Sequence, residues 1–144
     1  MNISRELLDE LVAHALEDPE NEVCGVVAVE GGGASAGDGD PGRAVRVYRA
    51  RNIHRSPLRF EIEPKELLKL SNACEEVGRL GAIYHSHVRS RPYPSQTDIN
   101  FAANWPGVEW IIVGLAGGGG PDVRSYLIDD GGGVEEVGIT ETAM

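Results

Sequence analysis

Two short apolar runs, LGAIYHSH at residues 80–87 and VEWIIVGLA at 108–116, most constrain the fold of this chain. Each is too short to span a bilayer. Each is apolar on successive positions, so it reads as a strand covered on both faces. EVCGVVAVE (22–30) is a third short apolar strand, ended by GGGASAGDGDPG (31–42), which is too polar and Gly-rich to pack. RAVRVYRARNI alternates as a strand, with Val45, Val47 and Arg49 expected on one face, and LRFEI (58–62) reads as a short strand after it. DVRSYLIDD and GGGVEEVGI supply the last strands. The covering layers are helices. Residues 3–17 carry Ser4 as N-cap, Ile3 and Leu8 as a hydrophobic staple, and an apolar stripe of Leu8, Leu11, Val12 and Ala15. Pro64 opens a second helix with Leu67, Leu70, Cys74 and Val77 at helical spacing, and SQTDINFAANW is a short third. The expectation is a mixed α/β fold: one domain over residues 1–144, with a central mixed sheet flanked by helices.

Composition limits the partners. A formal net charge of −10 argues against nucleic acid, which needs clustered Lys and Arg to displace counterions. The basic residues do gather in RVYRARNIHRSPLR and VRSR, a bias that suits an acidic protein partner. No apolar run reaches the length that crosses a membrane. The acidic, amphipathic start is neither a signal nor a transit peptide, so a cytoplasmic location is expected. Cys24 and Cys74 lie in apolar patterns and read as small buried hydrophobes. Oligomeric state is not legible.

One stretch carries chemistry. In GAIYHSHVRSRPYPSQTDINF, His85 and His87 sit two apart on a strand, so both project from one face about 7 Å apart along the chain. Two imidazoles and a carboxylate suit zinc, and a catalytic zinc keeps its fourth position for water. Asp98, at the start of the next helix, is placed to turn back and supply the carboxylate. Glu22, at the head of the first long strand, is a candidate acid-base residue. Each residue also has a plain structural role: Ser95-x-x-Asp98 is a helix-start signature, and Glu22 follows Pro19, Glu20 and Asn21 at a helix exit. The cap and the ligand do not exclude each other. Two His, a Ser and an Asp at fixed spacing arise by chance with a probability of roughly a few in ten thousand. A Ser-His-Asp triad leaves His-x-His unexplained, and a Cys24 nucleophile is set in a core strand. Ser86, between the histidines, should point to the opposite face. His14 reads as a surface residue.

Glu22, then His85-Ser86-His87, seven residues, Ser95, two residues and Asp98 resembles the signature of the JAMM (MPN+) metallopeptidases, with every position filled. NEVCGVVAV, RNIHRSPLRFEIEP and RSYLI extend the resemblance through nearly the whole chain, most closely to small stand-alone bacterial members, the CysO-cysteine peptidase type among them. The resemblance implies a cytidine-deaminase-like MPN/JAMM fold. It implies one Zn²⁺ held by His85, His87 and Asp98, with Glu22 as general base and acid and Ser95 as oxyanion donor. It also implies cleavage after the C-terminal Gly-Gly tail of a ubiquitin-like or sulfur-carrier protein. The leaving group is then free cysteine, as in cysteine biosynthesis, or a protein lysine in a broader deconjugase. Some MPN-fold proteins are instead metal-free scaffolds that bind partners without chemistry. Position beside the ligands makes His54, Arg89, Arg91 and Tyr93 candidate substrate-binding residues, with segment 52–60 and loop 88–94 bordering the groove.

Overall fold

The computed structural model describes residues 1–32 and 41–142; most of the Gly-rich loop expected at 31–42 lies outside the described residues. Among them run β1 (Asn2–Ser4), α1 (Arg5–Glu17), β2 (Cys24–Glu30), β3 (Arg43–Ala50), α2 (Pro64–Glu75), β4 (Arg79–His87), α3 (Gln96–Ala102), β5 (Glu109–Gly114), β6 (Asp122–Ile128), β7 (Val134–Val137) and β8 (Thr140–Thr142). The strands form one mixed sheet in the order β7-β6-β5-β4-β2-β3-β1-β8. β4 and β5 are parallel, so the chain must cross over between them, and α3 lies in that crossover. This topology returns α3 towards the carboxyl end of β4.

The two apolar runs are the sheet's centre, and they are covered on both sides. On one face Leu11 and Ala15 of α1 pack with Val27, Ala82, Tyr84 and Ile111. On the other, Leu67 and Cys74 of α2 and Ala102 of α3 pack with Val26, Ile83, Trp110 and Ile112. Sealing side chains such as Ile83 and Ile112 from water contributes about 1.5–3 kcal/mol each. Ser4 caps α1 through its hydroxyl, which accepts from the Leu7 amide at 3.2 Å. Pro64 stands at the start of α2, as expected. Among the described residues, no helix is long and apolar enough to cross a membrane.

Three local expectations need correction. Residues 2–4 and 140–142 pair as short parallel strands, β1 with β8, at the sheet's far edge. They are too short to show periodicity. Val45 does not share a face with Val47. β3 carries one extra residue where the pairing steps from Arg46 opposite Ala28 to Ala44 opposite Val29. This bulge turns Val45 to the α2 side, while Val47 stays on the α1 side. LRFEI is not a strand. Its backbone is held by a side chain instead: the Asn52 amide donates to the Arg59 carbonyl at 3.0 Å, and Asn52 Oδ1 accepts from the Glu61 amide at 3.2 Å.

Candidate metal centre

β4 ends at the edge of the core, and its last turnings of side chain build the site. His85 lies opposite Cys24 on β2 and Ile112 on β5; His87 lies opposite Gly114. Alternation places both rings on the face that carries α2 and α3, with Ile83 before them. Ser86 points away, as expected. Its hydroxyl accepts from the Val23 amide at 2.9 Å, and its own amide donates to the Val23 carbonyl at 3.0 Å. The residue between the histidines therefore ties down the neighbour of Glu22.

Ser95 and Asp98 form a reciprocal cap at the start of α3. Ser95 Oγ accepts from the Asp98 amide at 3.2 Å, and Asp98 Oδ2 accepts from the Ser95 amide at 2.9 Å. That same Oδ2 lies 3.1 Å from His85 Nε2 and 3.4 Å from His87 Nε2, and the two nitrogens are 3.1 Å apart. Cap and candidate ligand are one oxygen. All three side chains are buried. Donors on a tetrahedral zinc with bonds of about 2.0–2.1 Å stand ~3.3 Å apart, so this triangle has the size that zinc requires.

The protonation pattern agrees. His87 Nδ1 is 2.8 Å from the Arg91 carbonyl, which only an N–H can satisfy; Ser90 Oγ is 3.1 Å from the same nitrogen. With the proton assigned to Nδ1, the neutral ring turns the lone pair of Nε2 towards Asp98. Two acceptors then face each other unless a second ring proton or a metal cation lies between them. Burial works against charge on Asp98, but the Coulombic pull of His85 and hydrogen bonds from His85, His87 and Ser95 hold its carboxyl well below the usual range. For His87 too, burial is outweighed, by hydrogen bonds to Asp98 and the Arg91 carbonyl, and its value is raised. The donor set fits a divalent metal.

Glu22 is the other carboxylate. A carboxyl oxygen of its side chain and a ring nitrogen of each histidine lie within 4.8 Å of one another. Burial pushes it up to about 8, with the His87 charge opposing and Asp98 reinforcing the shift. A cation held by the histidines would draw it down again. Backbone bonds fix its place. The Glu22 amide donates to the Ser56 carbonyl at 2.8 Å, and the Glu22 carbonyl accepts from Asn52 at 3.0 Å.

The structure brings Glu22, His85, His87, Ser95 and Asp98 together. Of the rim candidates, Arg89 lines a cavity of about 410 Å³ with Pro19, Asn21, Pro57 and Val88, between the chain entering Glu22 and the chain leaving His87. The Arg91 guanidinium lies 4.8 Å over the Tyr93 ring, which meets Tyr126 edge-on at 5.5 Å. His54 is engaged with Glu61 at 2.9 Å. His14 is not a plain surface residue: half-buried, its Nδ1 lies 2.6 Å from the Tyr84 hydroxyl. Both cysteines are buried, and burial pushes the Cys24 thiol up to about 12, which suits the inert reading. Sequence reasoning missed Asn52, Phe60 and the Arg91 carbonyl. The one available signal was Asn52, a residue fit to replace backbone partners in a stretch that otherwise looks like a strand.

Residues 4–129 match the family described as prokaryotic homologs of the JAB domain. A CysO-cysteine peptidase of Mycobacterium tuberculosis is 34% identical over 135 residues, covering 93% of this chain and 86% of that protein. A desampylase of Haloferax volcanii is 32% identical over 118 residues, covering 78% of each. A probable TtuB-protein conjugate cleaving protease of Thermus thermophilus is 35% identical over 133 residues, covering 90% of this chain and 76% of that one. Among solved structures, a Desulfitobacterium hafniense protein superposes with a TM-score of 0.82 at 29% identity, covering 99% and 93% of the two chains. A structure described as a JAMM metalloprotease-like zinc site in the proteasome and signalosome reaches 0.53 at 17% identity, covering 99% and 98%, a likeness of fold. With a family match over most of its length and peptidases among its relatives, the chain belongs to the prokaryotic JAB-domain homologs.

Proposed function

We propose that this protein hydrolyses the amide bond that follows the C-terminal Gly-Gly tail of a ubiquitin-like or sulfur-carrier protein, releasing cysteine from a carrier–cysteine adduct. The observation that carries the reading is the convergence of His85 Nε2, His87 Nε2 and Asp98 Oδ2 within 3.4 Å of one another, with the Glu22 carboxyl beside them. His85, His87 and Asp98 hold the metal. Zinc in that place polarises the scissile carbonyl and lowers the pKa of a water towards about 7. Glu22 takes the proton of the attacking water and delivers it to the leaving amine. Ser95 Oγ spends its lone pair on the Asp98 amide, which leaves its O–H free to donate to the oxyanion, a contribution of about 3 kcal/mol. Ser86 and Asn52 keep Glu22 in register through its neighbour's amide and its own carbonyl. An extended tail is recognised by backbone hydrogen bonds with little regard to side chains, and Arg89, Arg91, Tyr93 and His54 border its path.

The test is metal content by elemental analysis, on wild type and Asp98→Ala, with hydrolysis of a carrier protein ending in Gly-Gly-Cys measured on the same samples. One zinc per chain, lost in the variant together with cleavage, is the expected outcome. Zinc without cleavage moves the substrate to protein isopeptides. A wild type that takes up no zinc on reconstitution returns Ser95 and Asp98 to a helix cap and the chain to a scaffold. The isopeptide reading has its own support in the Thermus relative, which is named as a probable protease cleaving TtuB-protein conjugates.

A further inference from the structure

The two histidines are alike in sequence and unlike in support. His87 has its outer nitrogen tied to the Arg91 carbonyl, so its ring angle and its proton are fixed. Metal-binding histidines are ordinarily held this way. His85 is not: its Nδ1 is sealed from solvent and has no hydrogen-bond partner among the described residues. What touches that ring is Phe60, stacked on it with centroids 4.4 Å apart and planes at 23°. Phe60 is backed in turn by Phe101, edge-on at 6.5 Å, and Phe101 by Trp110 at 5.9 Å. The residues on either side of Phe60, Arg59 and Glu61, are the two that Asn52 clamps. The same Asn52 amide holds the Glu22 carbonyl.

We propose that Phe60 is a positioning residue of the metal centre. Its face holds the His85 imidazole in the plane that aims Nε2 at His87 and Asp98, the task that a hydrogen bond performs for His87. This rests on the zinc reading above. A flat ring face restricts the tilt of a neighbouring imidazole but accepts no proton from it, so His85 gains orientation without the added basicity that a carbonyl or carboxylate partner confers. The site thus carries one ligand fixed by a hydrogen bond and one fixed by stacking.

The experiment is zinc affinity by chelator competition and the visible spectrum of the Co²⁺-substituted protein, on wild type, Phe60→Leu and Phe60→Tyr. Circular dichroism checks folding throughout. Phe60→Leu keeps apolar volume and loses the flat face; its zinc dissociation constant should rise about 10–100-fold, the range found for residues that orient ligands, and its cobalt bands should shift. Phe60→Tyr keeps the face and should match wild type in both. Should Phe60→Leu not fold, Phe60→Met supplies the same comparison. Leu58→Ala, an exposed change in the same loop, should leave zinc affinity alone. Wild-type affinity and an unchanged cobalt spectrum in the folded Leu or Met variant overturn the inference and leave the zinc site standing. A wild type that binds no zinc overturns both.

Discussion

The two halves of the site are built from different distances along the chain. On the His87 side the contacts at the outer ring nitrogen and at the helix cap are close: Ser90 and Arg91 reach Nδ1 from three and four residues away, and Ser95 and Asp98 cap each other within one turn. On the His85 side the partners come from far off. Phe60 precedes it by a whole helix, Val23 meets Ser86 across 63 residues, and Asn52 reaches the Glu22 carbonyl across 30. Local contacts close small loops, form with little entropy cost and are fixed by turn and cap chemistry. Remote ones exist only once the sheet has brought β2, β4 and loop 51–63 together. Under the proposed reading, the near half holds His87 and Asp98, and the far half positions His85 and Glu22.

The largest effect that separates these halves is expected from Glu22→Gln. It should lower kcat by about 10²–10⁴ while zinc stays bound, since it removes the proton carrier and no ligand. Loss of zinc along with activity would merge the halves and make Glu22 a ligand. The variant also has a pH signature in metal-free protein. Burial raises Glu22 from 4.5 to about 8, so the folded chain keeps a proton that the unfolded chain releases above about 4.5. That contribution to stability is present below the unfolded value and lost as pH rises through the folded one. Gln does not titrate. The Tm of metal-free Glu22→Gln should therefore gain on wild type between pH 5 and pH 8 and show no pH-dependent gain below 4.5. A gap of constant size across that window would mean that Glu22 does not keep the raised value.

The same division explains what could be read in the sequence. His85, His87, Ser95 and Asp98 were legible because the strand's period of two and the helix cap fix them locally, whatever the rest of the fold does. The apolar runs gave β4 and β5, and the crossover between parallel neighbours follows from them. Phe60 was illegible because LRFEI has a strand's composition. The Asn52 side chain occupies backbone groups that a neighbouring strand would use, and the Ile53 amide takes the Glu61 carbonyl, so the segment is held as a loop. Val45 was misplaced because a bulge shifts the period of two by one residue, and no residue type announces it. The β1–β8 pairing depends on two termini meeting at an edge, which three-residue segments cannot signal.

A smaller effect tests whether the near half works through its backbone. Gly114 lies opposite His87, and a Cβ there would stand 2.8 Å from Pro92 Cδ, so the ring must move. Pro92 follows the carbonyl that holds His87, and its own carbonyl accepts from the Tyr126 hydroxyl. Gly114→Ala should cost about 1–3 kcal/mol of stability by overpacking, read as a drop in Tm. Zinc affinity in the folded variant should fall several-fold through the displaced Arg91 carbonyl. A lower Tm with unchanged zinc affinity would show that Pro92 yields without moving its neighbour, and that His87 is held less tightly than its hydrogen bond suggests.

The smallest effect belongs to the rim, outside both halves. Alanine at Arg89 or Arg91 removes no contact of the donor set, because Arg91 serves His87 through its backbone, which the substitution keeps. The Arg91–Tyr93 contact is of the exposed kind worth about 0.5–1 kcal/mol, so little stability is at stake. What the pair can contribute is attraction for an acidic partner to a chain that is otherwise strongly negative. The double variant Arg89→Ala/Arg91→Ala should therefore raise KM several-fold and change kcat little, and the KM difference should shrink as salt screens the exposed charges. An unchanged KM at low salt would remove both residues from the substrate's path. A fall in kcat instead would mean that loop 88–94 moves when its arginines are trimmed, and that the near half depends on side chains after all.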